Sequence, residues 1–258
     1  MLKFGGTSVS TAENWHNIAR VLRARAAEGF RPVVVHSALS GITDRLEALL
    51  SAALNGSHLS ILDGIERAHR SLAERLSVVP NTQFEAFVRE LRELAGTLAE
   101  RRTIGDGARA RVMAMGELLA TTIGAEFLNA QGIGTAWVDA RRVLRADERL
   151  NASHKASLLS ATCDFTPDLN LQASWRSLDK VVLTQGFIAA NAAGDTVLLG
   201  RGGSDTSAAY FAAKLSAARL EIWTDVPGLF SANPRAVPTA RLLRELHYDE
   251  AQEIASNG

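Results

Sequence analysis

The stretch Leu198–Leu215, LLGRGGSDTSAAYFAAKL, decides the fold. A short apolar run ends in Gly200-Arg201-Gly202-Gly203, and Ser204-Asp205-Thr206-Ser207 then opens an alanine-rich helix. Glycines let a backbone turn tightly and come close to a ligand. A hydroxyl-rich helix start attracts anions through its free N–H groups, and Arg201 adds a positive charge. The plainer reading is a well-capped helix after a tight turn, with Asp205 as a first-turn acid that suits the helix dipole. Either way, a strand passing through a glycine turn into a helix is the building unit of parallel α/β folds.

The same grammar recurs along the chain. Leu2–Ser10, LKFGGTSVS, sets Gly5-Gly6 and the hydroxyls Thr7 and Ser8 directly after a first short strand. It is not a Walker A loop, because Lys3 precedes the glycines and G-x-x-x-x-G-K-[ST] is absent. Val33–Leu46, VVVHSALSGITDRL, places Ser37, Ser40, Gly41 and Thr43 between a strand and a helix. Ile222–Arg235, IWTDVPGLFSANPR, ends a strand at Thr224-Asp225 and turns at Pro227-Gly228 and again at Asn233-Pro234. In an open parallel sheet, ligands bind outside the carboxyl ends of the strands. Several glycine- and hydroxyl-rich strand ends in one chain therefore predict a shared crevice for a ligand with phosphates or carboxylates.

Five apolar runs read as strands: Met1–Phe4, Pro32–His36, Ile133–Val138, Val181–Thr184 and Leu220–Trp223. Phe187–Ala190 and Thr196–Leu199 flank the turn sequence NAAGD and predict an antiparallel hairpin. Thr11–Glu28 carries Trp15, Ile18, Ala19 and Leu22 at helical spacing, with Gly29 as its stop. Residues 43–130 read as helical almost throughout, punctuated by Gly56, Pro80 and the GDG at Gly105–Gly107. There is no internal repeat and no low-complexity linker. Two lobes sharing one continuous sheet are expected, with a soft boundary near residues 176–186. The closing Asn257-Gly258 reads as a helix C-cap turning into something further, so a fragment is expected.

Composition narrows the function classes. Lys plus Arg and Asp plus Glu both number 28 in 258 residues, so no net charge steers the chain towards nucleic acid or a membrane surface. One cysteine, Cys163, excludes an internal disulfide framework and a thiolate metal site, and fits a reducing, cytoplasmic setting. No apolar run approaches the roughly 20 residues of a membrane span, and no signal-peptide pattern precedes the first strand. The histidines offer no ligand spacing: His36 reads as a packing residue, and His58, His69, His154 and His247 as helical or loop surface.

Taken in order and spacing, KFGGTSV, SALSGIT, MGE, TQGFI, GRGGSD-SA and TDVPGLF-ANPR resemble the catalytic domain of the aspartate kinases, across essentially the whole chain. The resemblance implies an amino acid kinase (carbamate kinase-like) fold, a three-layer α/β/α sandwich with a mostly parallel sheet. It implies one catalytic domain over residues 1–258, with an amino acid side over about 1–180 and a nucleotide side over about 181–258, the latter incomplete. It implies transfer of a phosphoryl group from ATP, with Mg2+, to the side-chain carboxylate of L-aspartate, the first step towards lysine, threonine and methionine. A homo-oligomer is implied for the complete protein.

Roles carry over residue by residue. Lys3 matches the cation that contacts the transferred phosphoryl group, with Gly5, Gly6, Thr7 and Ser8 around the phosphates. Ser37 and Thr43 match residues near the acceptor, and Phe187 a residue lining its pocket. Glu117 matches the acid that receives the substrate's ammonium; by helical position alone it reads as surface, opposite Val112, Leu119, Ile123 and Phe127. Arg201 matches the arginine that grips the α-carboxylate, a task suited to a bidentate guanidinium. Ser204 matches a further substrate contact, and Asp205 the acid that holds the reactive lysine. Thr224, Asp225, Phe230 and Arg235 match the nucleotide side, Phe230 standing where many members carry tyrosine. Family members continue with a lysine in an AKVLHP-like stretch absent here, so weak turnover with retained binding is expected. The rivals are a glutamate or nucleotide kinase of the same fold, and a non-catalytic module that senses a nucleotide or amino acid.

Overall fold

A computed structural model describes residues 1–148, 152–200 and 202–257. Two compact units are present, Met1–Trp223 and Thr224–Gly258. The first begins with strand β1 (Leu2–Phe4), a 3-10 turn at Thr7–Val9, helix α1 (Ala12–Ala27) and β2 (Val33–His36). Four helices follow: α2 (Ile42–Ala53), α3 (Leu59–Arg75), α4 (Thr82–Arg101) and α5 (Asp106–Ala130). Then come β3 (Thr135–Val138), α6 (His154–Leu159), α7 (Leu169–Ser177) and β4 (Val181–Gln185). A hairpin of β5 (Ile188–Ala190) and β6 (Thr196–Leu198) precedes α8 (Gly203–Lys214) and β7 (Glu221–Trp223). The second unit contains α9 (Tyr248–Asn257).

The five runs read as strands form one sheet in the order β3-β4-β2-β1-β7, and each pairing is parallel. Its register puts Lys3 beside Val35 and Ile222, and His36 beside Phe4 and Gln185. Alternation along each strand then sorts the side chains between two faces. His36 meets Trp15 of α1 edge-on, and Gln185 donates to Thr121 of α5 at 2.9 Å, so α1 and α5 cover one face. Lys3 points the other way and pairs with Asp205 of α8, whose Phe211 stacks on Trp175 of α7. Helices on both faces around a parallel sheet are the expected sandwich.

Local signals place the helix starts. The side chains of Thr11, Asn81 and Asp168 accept the backbone N–H groups of Asn14, Phe84 and Leu171, capping α1, α4 and α7. α1 stops where expected, at Gly29 with φ +86°. α5 differs, because both its apolar and its polar residues are buried nearly all round. Gly124 admits the Trp15 ring, whose nearest atom would lie 2.3 Å from an added Cβ.

Two readings from helical position are corrected. Glu117 is not a surface residue but is 4% exposed, because α5 is covered on every side. His58 and His69 are likewise buried rather than on the surface. His69 lies on the inward stripe of α3 with Leu62, Ile65 and Leu72, and its Nδ1 bonds the Ile65 carbonyl at 2.8 Å. Burial holds both His36 and His69 down near about 4, so each is neutral and packs as an aromatic ring. His154 and His247 are exposed, as expected. Among the described residues, no helix is long and apolar enough to cross a membrane.

Candidate active site

The carboxyl ends of β1, β2 and β4 share one edge of the sheet, and the residues that follow each strand interlock there. After β1, Gly6 has an ordinary helical φ of −58°, so turning is not its purpose. An added Cβ would stand 2.9 Å from the Ala38 carbonyl oxygen, in the turn after β2. Glycine is thus what lets the first turn pack onto the second. Ser10 joins them: its hydroxyl donates to the Gly6 carbonyl at 2.6 Å and accepts the Ser40 N–H at 2.8 Å. Thr7 is exposed, Ser8 half-buried, and the Thr7 carbonyl accepts from Asn14 at 3.0 Å. Trp15 fixes the far end of the turn by donating to the Val9 carbonyl at 2.9 Å.

After β2, the Ser37 N–H donates to the Phe4 carbonyl, carrying the pairing one residue past the strand. Thr43 is exposed in the first turn of α2. Beneath this turn lies Glu117. Its Oε1 accepts the Ala38 N–H at 3.3 Å, and Gly116 leaves room for the Ala38 methyl, which would lie 2.8 Å from an added Cβ. Burial pushes the Glu117 carboxyl up to about 8, and the Ala38 N–H offsets only part of that. Near neutral pH it is therefore an uncharged acid beneath the turn, ready to ionise against a cation.

After β4, Gly186 and Phe187 run against the start of α8. A Cβ on Gly186 would lie 2.6 Å from the Ser204 side chain, and one on Gly203 would lie 2.7 Å from the Phe187 ring. The Phe187 N–H donates to Ser207 Oγ at 2.8 Å. Gly202 has φ +69° and starts α8, so the glycine turn seen in the sequence makes the bend. Asp205, in the first turn of α8, meets Lys3 Nζ at 2.8 Å. The lysine side chain is 10% exposed and the aspartate 49%. The lysine ammonium also passes Gly5, 3.6 Å from where a Cβ would be.

The structure therefore brings together Lys3, Gly5, Gly6, Ser37, Glu117, Phe187, Ser204 and Asp205 around one sheet edge. Arg201 lies outside the described residues. Thr224, Asp225, Phe230 and Arg235 belong to the second unit. There, Thr224 donates to Asp225 Oδ1 at 3.1 Å, Phe230 bridges Leu242, and the Arg235 N–H donates to Asn233 Oδ1 at 3.0 Å. Ser10, Gln185 and Ser207 were not singled out from the sequence, although each tethers a turn. All three stood inside quoted stretches, but nothing local marks a serine as a bridge between two distant turns.

This geometry can hold anionic groups at the glycine turns and a cationic group over Glu117. A model of the amino acid kinase family matches residues 1–258. Lysine-sensitive aspartokinase 3 of Escherichia coli is 34% identical, the match covering 99% of this chain and 55% of that protein. The bifunctional aspartokinase/homoserine dehydrogenase of Haemophilus influenzae is 35% identical over 100% of this chain and 32% of that protein. The chain thus spans about half the length, or less, of the curated relatives it matches. The crystal structure of E. coli aspartokinase III in complex with aspartate and ADP superposes with a TM-score of 0.84 at 32% identity, covering 100% of this chain and 56% of that one.

Proposed function

The chain belongs to the amino acid kinase family, and on that premise we propose that it carries the catalytic site of an aspartate kinase, transferring the γ-phosphoryl group of ATP to the β-carboxylate of L-aspartate. The observation that carries this reading is the 2.8 Å pair between Lys3 and Asp205, which ties the first glycine turn to the helix start of the second.

The chemistry suits that arrangement. A β-carboxylate is already ionised at neutral pH, so its attack on phosphorus needs no general base. The difficulty is bringing two anions together and stabilising a loose, charge-rich transition state. Lys3, held in place by Asp205, supplies a fixed positive charge, and the N–H groups of the Gly5–Ser8 turn supply dipoles that cost no reorganisation. Glu117 takes the substrate's ammonium, giving up its proton to bulk water as the cation arrives. Ser37, Thr43, Phe187, Arg201 and Ser204 complete the acceptor side. Thr224, Asp225, Phe230 and Arg235 serve the nucleotide. Mg2+ would arrive with the nucleotide, as part of the substrate. Held there, it would neutralise charge on the phosphates. The amino acid side lies within about residues 1–180 and the nucleotide side within about 181–258. The complete protein acts in the cytoplasm as a homo-oligomer.

The test is an acceptor panel with coupled ADP detection, together with calorimetry using a non-hydrolysable ATP analogue. Aspartate is expected to bind and to be the preferred acceptor. A signal with glutamate and none above water with aspartate would sink the assignment.

A further inference from the structure

We propose that Ser207 is a positioning residue for the acceptor side of this site, its buried hydroxyl holding Phe187 in a left-handed backbone conformation and so fixing the Phe187 ring against the start of α8. The proposal rests on the reading of Phe187 as a residue of the acceptor pocket.

Phe187 has φ +67°, a region that a bulky side chain seldom occupies and that persists only where the surroundings over-determine it. Three contacts do so here. Its N–H donates to Ser207 Oγ at 2.8 Å, and its carbonyl accepts the Leu199 N–H at 2.8 Å. Its ring fills the space over Gly203, where a Cβ would meet Cδ2 at 2.7 Å and Cα at 3.2 Å. The serine has no freedom left. It is fully buried, and its single proton goes to the Gly203 carbonyl at 2.6 Å, so a lone pair is turned to the Phe187 N–H.

A helical serine bonding back to the carbonyl four residues earlier is common. That habit explains the bond to Gly203 but neither the bond from Phe187 nor the strained backbone that it restrains. Ser207 and Asp205 also stand in the first two turns of the same helix. One hydroxyl thereby links the acceptor wall to the element that holds Lys3.

Ser207→Ala takes away the acceptor of the half-buried Phe187 N–H and lets the residue relax. The expected outcome is a roughly tenfold weaker L-aspartate Kd by calorimetry, with the Kd of a non-hydrolysable ATP analogue changed by about twofold or less. In chain labelled with 15N-phenylalanine, the Phe187 amide, assigned through its loss in Phe187→Leu, should exchange with solvent at least about tenfold faster. A Phe187 amide as protected as in the wild type overturns the proposal. So does an equal weakening of both ligands, which would mark general loosening. In a Phe187→Gly background, where positive φ carries no strain, Ser207→Ala should fold and change aspartate Kd no further. Additive effects of the two substitutions, or failure of the double variant to fold, also overturn it. If the wild type binds no aspartate, the functional reading falls, and amide protection alone then decides the tether.

Discussion

Gly5-Gly6 and Gly202-Gly203 are the same pair of letters at the same edge of the sheet, and they are glycine for different reasons. Gly6 has an ordinary backbone and needs its missing side chain because the Ala38 carbonyl would lie 2.9 Å from a Cβ. Gly202 has φ +69° with nothing within 4 Å of a Cβ, so only its backbone needs glycine. The first turn is shaped by another turn, which in turn rests on a buried acid. The second is shaped by its own bend and by one aromatic ring. A glycine pair in a sequence thus announces a turn without saying whether space or conformation demands it.

The sharpest way to break this comparison is to cut the bond between its halves. Lys3→Ala should lower single-turnover transfer of labelled phosphate from ATP by roughly a thousandfold, about 4 kcal/mol of transition-state stabilisation, while aspartate affinity stays within about twofold. A parallel loss of both would mean that Lys3 serves the acceptor instead.

Next comes the acid under the first turn. Because burial raises Glu117 to about 8, the folded state keeps a proton that the unfolded chain releases above about 4.5. Its contribution is therefore whole below about 4.5 and is lost as pH rises towards about 8. Glu117→Gln should flatten that decline, gaining up to about 3 kcal/mol at pH 7 relative to the parent in urea unfolding. It should also remove a rise in aspartate affinity between pH 6 and 8. An unchanged slope would place the titrating group elsewhere.

The smallest effects separate the two kinds of glycine. Gly6→Ala should cost about 2 kcal/mol, since the obstacle is backbone that cannot swing aside. Gly202→Ala should cost about 1 kcal/mol, the strain of a left-handed alanine alone. Equal losses in chemical unfolding would erase the distinction.

Much of this architecture was legible in the sequence. The five parallel strands and the β5–β6 hairpin follow from apolar runs and turn residues, and the partnership of Lys3 with Asp205 was implied by the resemblance to the aspartate kinases. What escaped had a common cause. Glu117 looked superficial because helical position names the opposite face of α5 but not whether a neighbour covers its own. His58 and His69 were misjudged in the same way, imidazole being as much a ring as a polar group. The left-handed Phe187 could not be foreseen, because no local preference puts a phenylalanine there. Only Ser207, Leu199 and Gly203 together do.

The order of the sheet also has a consequence in time. β1, first in chain order among the strands of this sheet, lies between β2 and β7, and β7 arrives only near the close of the first unit. β2 can pair with β1 early, across the short loop that α1 closes. The other edge of β1 must wait for nearly the whole unit to be synthesised, and bringing it home costs the entropy of closing a very long loop. The same delay governs Lys3, whose partner comes with α8. During synthesis, then, a nascent chain holds an apolar strand with one bare edge and a lysine without its aspartate. The sheet edge that carries Lys3 is completed at almost the same moment as the first unit.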